Sequence, residues 1–349
     1  MNTLPENMHR RLFLRRNSPQ KRKLQFHKEG IDFLSSDYLG YSKSKQLKDK
    51  IKESINELPM IGSTSSRLLS GHHKFIAKVE DELASFFKSE SGLLFTSAYS
   101  LNIGLLAACT GREDILLLDE KAHTSLKNSL KLSQAQGFFF RHNDLEHLSH
   151  RLQSLRSKLA HKGDIFVVVE SLYSMDGDLA PLSEIVDLCE TYSASLIVDE
   201  AHGAGTIGPE GRGLTCALGL EKKVFARVVG FGKAFGTSGG LLLGNQDLMD
   251  YMANFCHSFI YTTGISFLNA LSIKESLVNL QQDSKSLVRL NYLISYFNQK
   301  LRTKQSHSPL FSFIINPVEE LIRISEALKK RGFQVQPIFS PTVKKGKER

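Results

Sequence analysis

Five short aliphatic runs constrain this chain more than any other feature: "GLLF", "ILLL", "IFVVV", "SLIV" and "ARVV", each ending abruptly in polar or glycine residues. None alternates apolar with polar positions, so each reads as a strand buried on both faces, as in a parallel sheet covered by helices. Amphipathic segments lie between the runs. "HKFIAKVEDELASFFK" places Phe75, Ile76, Val79, Leu83 and Phe86 on one face, and "PLSEIVDLCETYS" opens with Pro181. The alternation is that of the α/β class. Ligands of open α/β sheets bind outside the carboxyl ends of the strands. The residues after the runs are therefore expected to converge: Ser97, Tyr99, Asp119, His123, Glu170, Ser174, Asp199, His202 and Lys233.

At 349 residues and 41% hydrophobic content, the chain can bury a sizeable core, and its length favours one large domain with a smaller one. From about Leu268 the pattern changes to longer charged helical stretches, read as a connecting helix. A small α/β unit then follows: "LFSFIIN" as a strand, "VEELIRISEALKKRGF" as a helix closed by Gly332, and "VQPIF" as a strand. The expected division is an N-terminal segment 1–40, a large domain 41–265 and a small C-terminal domain 266–349. No apolar run approaches the ~18 residues of a membrane helix, so no membrane partner is expected. The basic N-terminus has no apolar core and carries Glu6, which fits neither a secretory signal nor a transit peptide, leaving a cytoplasmic location. Four scattered cysteines without a C-x-x-C give neither a disulfide framework nor a zinc site, and no metal is expected. The net charge of +9 is densest at the two ends and shows no aromatic-studded basic stripe, so nucleic acid is not an expected partner.

The loop "GFGKAFGTSGG", Gly230 to Gly240, crowds Lys233 among glycines directly after "ARVV". It is not a Walker phosphate loop, because Gly232-Lys233 is followed by Ala234. As a dinucleotide fingerprint it has one residue too many before Gly236, and the acidic residue at the right distance, Asp250, does not end an apolar strand. The remaining functional reading is a covalent amine: a lysine desolvated beside Phe231 and Phe235, with small neighbours that admit a flat aldehyde cofactor. Taken alone, the loop is also an ordinary glycine turn. "LIVDEAHGAG" puts Asp199 at a strand end with His202 three residues on, the carboxylate and imidazole that pyridoxal phosphate uses at its ring nitrogen and phenolic oxygen. Asp199 would equally cap the next helix. "DEKAHTSL" offers His123 for stacking on such a ring, and "TSAYSLN" offers Ser97 and the following backbone amides as a phosphate cradle.

On these residues, together with "FLSSDYLGYS", "GSTSSRLLSGHH", "ESLYSMDGDLAPL", "VDEAHGAGTIGPEGRGL", "HSFIYTT" and "SPTVKKGKER", the chain resembles the α-oxoamine synthases, fold-type I pyridoxal phosphate enzymes, over nearly its whole length. The resemblance implies a large domain with a mostly parallel seven-stranded sheet flanked by helices and a smaller C-terminal α/β domain. It implies a homodimer with active sites at the subunit interface. Lys233 would bond the cofactor aldehyde, Asp199 would pair with the ring nitrogen, His123 would stack on the ring, and Ser174 and His202 would face the phenolic oxygen. The amides of Ala98 and Tyr99 would hold the phosphate, with Thr262 or Thr263 reaching a phosphate in the partner subunit. Ser36 would lie near the substrate, and Arg349 would clamp the amino-acid carboxylate.

The branch resembled most condenses L-alanine with a pimeloyl thioester, carried on coenzyme A or acyl carrier protein, on the way to biotin. Sibling enzymes that use glycine or serine, and a degenerate cofactor-binding relative, remain open at this point. Several positions depart from the family pattern. Gly230 stands where a threonine or serine usually contacts the phosphate, Ser36 replaces an asparagine, Ala98 replaces a glycine, and "YTTGISF" replaces "YTTALPP". Relatives also continue past Arg349 into a final strand and helix, so the small domain is expected to be short and Arg349 to fray.

Overall fold

The structure, a computed structural model, describes all residues except 1–3, 19–20, 22–23, 25, 27–28, 159–162 and 302–305. Parts of the basic N-terminal segment thus lie outside the described residues. The described residues form the strands β1 (Ile31–Asp32), β2 (Ser91–Phe95), β3 (Ile115–Asp119), β4 (Gln136–Phe140), β5 (Ile165–Glu170), β6 (Ser195–Asp199), β7 (Ala226–Gly230), β8 (Gly240–Gly244) and β9 (Phe333–Gln334).

The larger unit, Ser36–Leu310, is built on a seven-stranded sheet of order β2-β8-β7-β6-β5-β3-β4. All neighbours are parallel except β8, which runs antiparallel to both β2 and β7. The five expected aliphatic runs are β2, β3, β5, β6 and β7. Strands β3, β5, β6 and β7 are buried along their whole length apart from the first residue of β6, as runs without alternation require. β8 was not among the expected strands. Its "GLLLG" reads as the tail of the lysine loop, yet it pairs through Gly230↔Gly240 and Phe95↔Gly240. The lysine loop is therefore a connection between antiparallel strands. That excludes the dinucleotide reading, which needs a strand entering a helix.

The helix Lys74–Phe86 buries Ile76, Val79, Leu83 and Phe86, as its periodicity predicts. The stretch read as one connecting helix is two, Phe267–Gln282 and Ser284–Leu301. They part at Asp283, whose carboxylate accepts from the amides of Lys285 and Ser286. Phe267, Ala270, Ile273, Leu277 and Leu280 share one buried cluster with Leu241 of β8 and with Ile76 and Leu83. For that reason the boundary drawn at 265/266 falls inside the larger unit.

The smaller unit is formed by Met1–Ser35 and Phe311–Arg349. β1 and β9 pair in parallel, Ile31↔Phe333 and Asp32↔Gln334, so the N-terminal segment joins the C-terminal one. The helix Val318–Lys330 matches its expected position. "LFSFIIN" does not form a strand, and of "VQPIF" none is strand, because β9 lies just before it. Instead Ile315 N–H donates to Glu348 O, and Ile338 and Arg349 exchange both backbone hydrogen bonds, at 2.7 and 3.2 Å. Arg349 is thereby held rather than frayed.

Candidate active site

The carboxyl ends of the strands gather the chemistry. Asp199 closes β6 and is 5% exposed, and Glu170 closes β5 opposite it in the register. Asp199 Oδ1 accepts from Ala201 N–H at 2.9 Å, and Oδ2 accepts from Asn102 Nδ2 at 2.7 Å. Asn102 projects from the helix Ala98–Cys109, which follows β2. Its Nδ2 also donates to Ser125 Oγ at 3.0 Å, and Ser125 Oγ lies 2.8 Å from Nδ1 of His123. His123 is the N-cap of the short helix Thr124–Ser129.

Lys233 lies in the β7–β8 connection, half-buried as a whole residue but with its amine end buried, and its Nζ makes no hydrogen bond or ion pair with any described residue. Burial lowers the amine's pKa against the opposing pull of the Asp199 and Glu170 carboxylates. Burial, reinforced by Asp199, pushes Glu170 up to about 8, so at neutral pH it is chiefly the protonated acid, and it accepts the backbone N–H of His123. Burial also lowers His123. Burial, with the Lys233 charge adding, pushes His202 down to about 2. Nδ1 of His202 is 2.7 Å from the hydroxyl of Tyr38, which burial raises to about 12. The site is thus an unpaired amine among neutral imidazoles, one carboxylate held by two donors, and one carboxylic acid.

The phosphate cradle proposed from "TSAYSLN" is a true helix start. Ser97 Oγ accepts from Ser100 N–H at 3.1 Å, while the amides of Ala98 and Tyr99 have no partner among the described residues. Glycine is required beside it. A Cβ on Gly240 would lie 2.6 Å from Ala98 N, a clash with backbone. A Cβ on Gly230 would come 3.1 Å from Ala201 Cβ and 3.5 Å from Ala98 Cβ, so two alanine methyls border this glycine.

The remaining expected residues are less engaged. Ser174 is half-buried in the turn after β5, Thr262 is half-buried and Thr263 exposed, and none of the three side chains hydrogen-bonds to a described residue. Ser36 is half-buried and accepts Tyr38 N–H at its carbonyl. Arg349 belongs to the smaller unit. Asp250 is exposed on the helix Gln246–Phe255.

Three carboxylates from the motifs are structural. Glu200 of "DEAHG" is 2% exposed and accepts from Ser171 Oγ, Leu214 N–H, Thr215 N–H and the Thr215 hydroxyl. It thereby pins "GRGL" to the end of β6. Asp119 is fully buried and bonds His142 Nδ1 at 3.0 Å, and Asp178 of "SMDGD" bonds His142 Nε2 at 2.7 Å. Burial pulls His142 down, but these two carboxylates outweigh it and raise its pKa to about 9. His142, Asp176 and Asp178 lie close enough to suggest a metal site. Both imidazole nitrogens are already engaged, however, and Lys121 Nζ sits 2.6 Å from Asp176.

The comparisons with known proteins agree with this geometry. The sequence profile of the aminotransferase class I and II family matches residues 28–349, and the chain belongs to that family. Within it, the chain belongs with the pyridoxal-phosphate-dependent α-oxoamine synthases, enzymes of acyltransferase type. It is 30% identical over 327 residues to the 8-amino-7-oxononanoate synthase of Thermosipho melanesiensis, covering 92% of this chain and 82% of that protein. A Geobacillus kaustophilus protein provisionally named as the same synthase is 34% identical over 326 residues, covering 91% and 82%. Among solved structures, serine palmitoyltransferase of Sphingomonas wittichii superposes with a TM-score of 0.84 at 27% identity, covering 90% of this chain and 79% of that one. The 8-amino-7-oxononanoate synthase of Francisella tularensis does so with 0.75 at 26%, covering 90% and 89%.

The cofactor of this family is pyridoxal phosphate, and the residues present fit it: a buried amine and two helix-start amides without partners among the described residues, and a carboxylate at a strand end. Asn102, Ser125 and Tyr38 escaped the sequence reading, and Glu170 had no role beyond its place at a strand end. For Asn102 a signal existed, a lone amide inside the apolar helix "SLNIGLLAAC", where it stands out only as a polar interruption.

Proposed function

We propose that the protein catalyses the decarboxylative condensation of L-alanine with a pimeloyl thioester, carried on coenzyme A or acyl carrier protein, to give 8-amino-7-oxononanoate for biotin synthesis. It would work as a cytoplasmic homodimer. The observation that carries the proposal is the Lys233 amine, buried, unpaired and lowered in pKa beside Asp199.

Lys233 would bond the cofactor's aldehyde carbon, Asp199 would hold the ring nitrogen protonated, and His123 would lie on the ring face. His202 and Ser174 would face the phenolic oxygen. A Tyr38 hydroxyl that donates to Nδ1 of His202 leaves the imidazole proton on Nε2, free to be given to that oxygen. The Ala98 and Tyr99 amides would hold the phosphate, with Thr262 or Thr263 reaching across from the partner subunit. Ser36 and Arg349 would contact the substrate. When bound, the cofactor supplies an electron sink for negative charge at the alanine Cα. Lys233, released when the alanine amine takes its place at that carbon, and with its pKa lowered by burial, would take the Cα proton onto Nζ. The Cα would then bond to the thioester carbonyl carbon as the thiolate departs, the former alanine carboxyl would leave as carbon dioxide, and Nζ would return its proton to Cα.

A second reading, an acyl transfer onto serine, is favoured by the closer superposition on serine palmitoyltransferase. The side-chain choice between alanine, glycine and serine rests on a pocket difference worth only ~1 to 3 kcal/mol. The deciding experiment follows the visible spectrum of the protein with pyridoxal phosphate on adding each amino acid, then measures carbon dioxide released with pimeloyl-CoA and with palmitoyl-CoA. Alanine with pimeloyl-CoA giving the largest kcat/KM, and no cofactor band in Lys233→Ala, is the expected result. Serine with palmitoyl-CoA winning would replace the proposal by the second reading. A cofactor band with no carbon dioxide from any pair would leave a binding protein rather than an enzyme.

A further inference from the structure

We propose that Asn102 is the positioning residue that couples Asp199 to His123, so that one buried amide sets the two groups expected at the edge and on the face of the cofactor ring. The inference rests on the proposed roles of those two residues, and its geometry stands without them. Asn102 is 2% exposed, on a helix that is otherwise apolar on its buried side. A carboxylate only accepts, so the amide must turn Nδ2 toward Asp199 Oδ2, which it meets at 2.7 Å. The second hydrogen of Nδ2 goes to Ser125 Oγ at 3.0 Å. With that oxygen accepting, the Ser125 hydroxyl hydrogen is directed to His123 Nδ1 at 2.8 Å, where the Ser125 backbone N–H also donates at 3.2 Å. Nδ1 therefore carries no proton, and His123 is held neutral with its proton on Nε2.

The amide's own oxygen has no partner in the described structure. A residue kept only to fill the core would not leave a buried carbonyl unpaired, and an apolar side chain of this size would avoid that cost. The donor pair toward Asp199 and Ser125 is what the amide offers and leucine does not.

The test uses the full chain and its variants Asn102→Leu and Ser125→Ala, with three measurements: the dissociation constant for pyridoxal phosphate by absorbance titration, the ring pKa of His123 by NMR without added cofactor, and the melting temperature. Besides Ser125, the titratable groups acting on His123 are Asp199, Lys233, Lys127 and His202, with Glu170 accepting its backbone N–H, and none of them is altered. Asn102→Leu is expected to weaken cofactor binding about tenfold or more and to raise the His123 pKa by about half a unit, because donors to Nδ1 favour the neutral ring. Ser125→Ala is expected to raise that pKa similarly while weakening the cofactor less. A lower melting temperature with both other readings unmoved would make Asn102 merely structural and overturn the proposal. Should Asn102→Leu fail to fold, an unmoved His123 pKa in Ser125→Ala overturns it alone. Wild-type protein that binds no pyridoxal phosphate would sink the proposed function, while the His123 pKa in the variants would still decide the coupling.

Discussion

At the scale of residues, Glu170 shows how burial decides chemistry. It lies at a strand end beside Asp199, and two ionised carboxylates there would repel each other in a poor dielectric. Pushed up to about 8, Glu170 is mostly the neutral acid at pH 7, so glutamine should replace it. We expect Glu170→Gln to bind pyridoxal phosphate within about threefold of wild type, and Glu170→Leu, which cannot accept the His123 N–H, to bind it more weakly. The sign for stability follows from the raised pKa. The folded group keeps its proton longer than the unfolded one, so its contribution is complete below about 4.5 and is lost as pH rises through 8. Denaturant unfolding should therefore show Glu170→Gln gaining on wild type between pH 5 and 8, by on the order of 1 to 3 kcal/mol. An unchanged difference across that range would mean Glu170 is ionised. Lys233, Asp199, His123 and His202 were legible because each follows an aliphatic run by a few residues. Asn102, Ser125 and Tyr38 were not, because they have partners up to 164 residues away, and the one local mark, the polar interruption at Asn102, names no partner.

At the scale of elements, three connections on the carboxyl side of the sheet are clasped by one imidazolium. His142 follows β4, Asp119 ends β3 and Asp178 lies in the turn after β5. This gives "SMDGD" a structural reason that its sequence does not disclose. His142→Gln should cost about 3 kcal/mol, as breaking a buried charge pair does. The folded His142 pKa is raised, so its contribution is full below about 6.5 and lost as pH rises through about 9. The gap between wild type and His142→Gln in urea unfolding should accordingly narrow from pH 6.5 to 9.5, and a gap constant with pH would refute the clasp. The antiparallel β8 escaped the sequence reading because its "GLLLG" is short and bounded by glycines that look like loop. One of those glycines is an element-level constraint. Gly240→Ala would drive a methyl to within 2.6 Å of the Ala98 amide, which cannot move without displacing the whole helix start. Its expected cost is about 2 kcal/mol, with weakened phosphate binding in the cofactor titration.

At the scale of the whole molecule, the α/β class and the parallel sheet were readable from unalternated apolar runs, whereas the domain boundaries were not. β1 pairs with β9 across some 300 residues of chain, and no local pattern announces a partner that distant. What the larger unit leaves uncovered points to the assembly. Ile61 and Leu69 are 65% and 78% exposed, and Tyr261 is 78% exposed. Their segments are tied together, since Leu268 N–H donates to Ile61 O and Gly264 N–H to Ser65 O, and Ser258 Oγ donates to Ser100 O beside the phosphate cradle. In the proposed homodimer, these exposed apolar side chains would be covered by the second subunit. Thr262 and Thr263 follow Tyr261, and neither side chain hydrogen-bonds to a described residue, which leaves both available for the role proposed for them in a partner subunit's phosphate site. We therefore expect the wild-type protein to sediment at about twice 39.1 kDa, and Leu69→Arg to shift it toward a folded monomer. If the threonines serve the partner's site, that monomer should bind pyridoxal phosphate several-fold more weakly at an unchanged circular dichroism spectrum. A wild-type monomer with full cofactor affinity would show instead that each chain completes its own phosphate site.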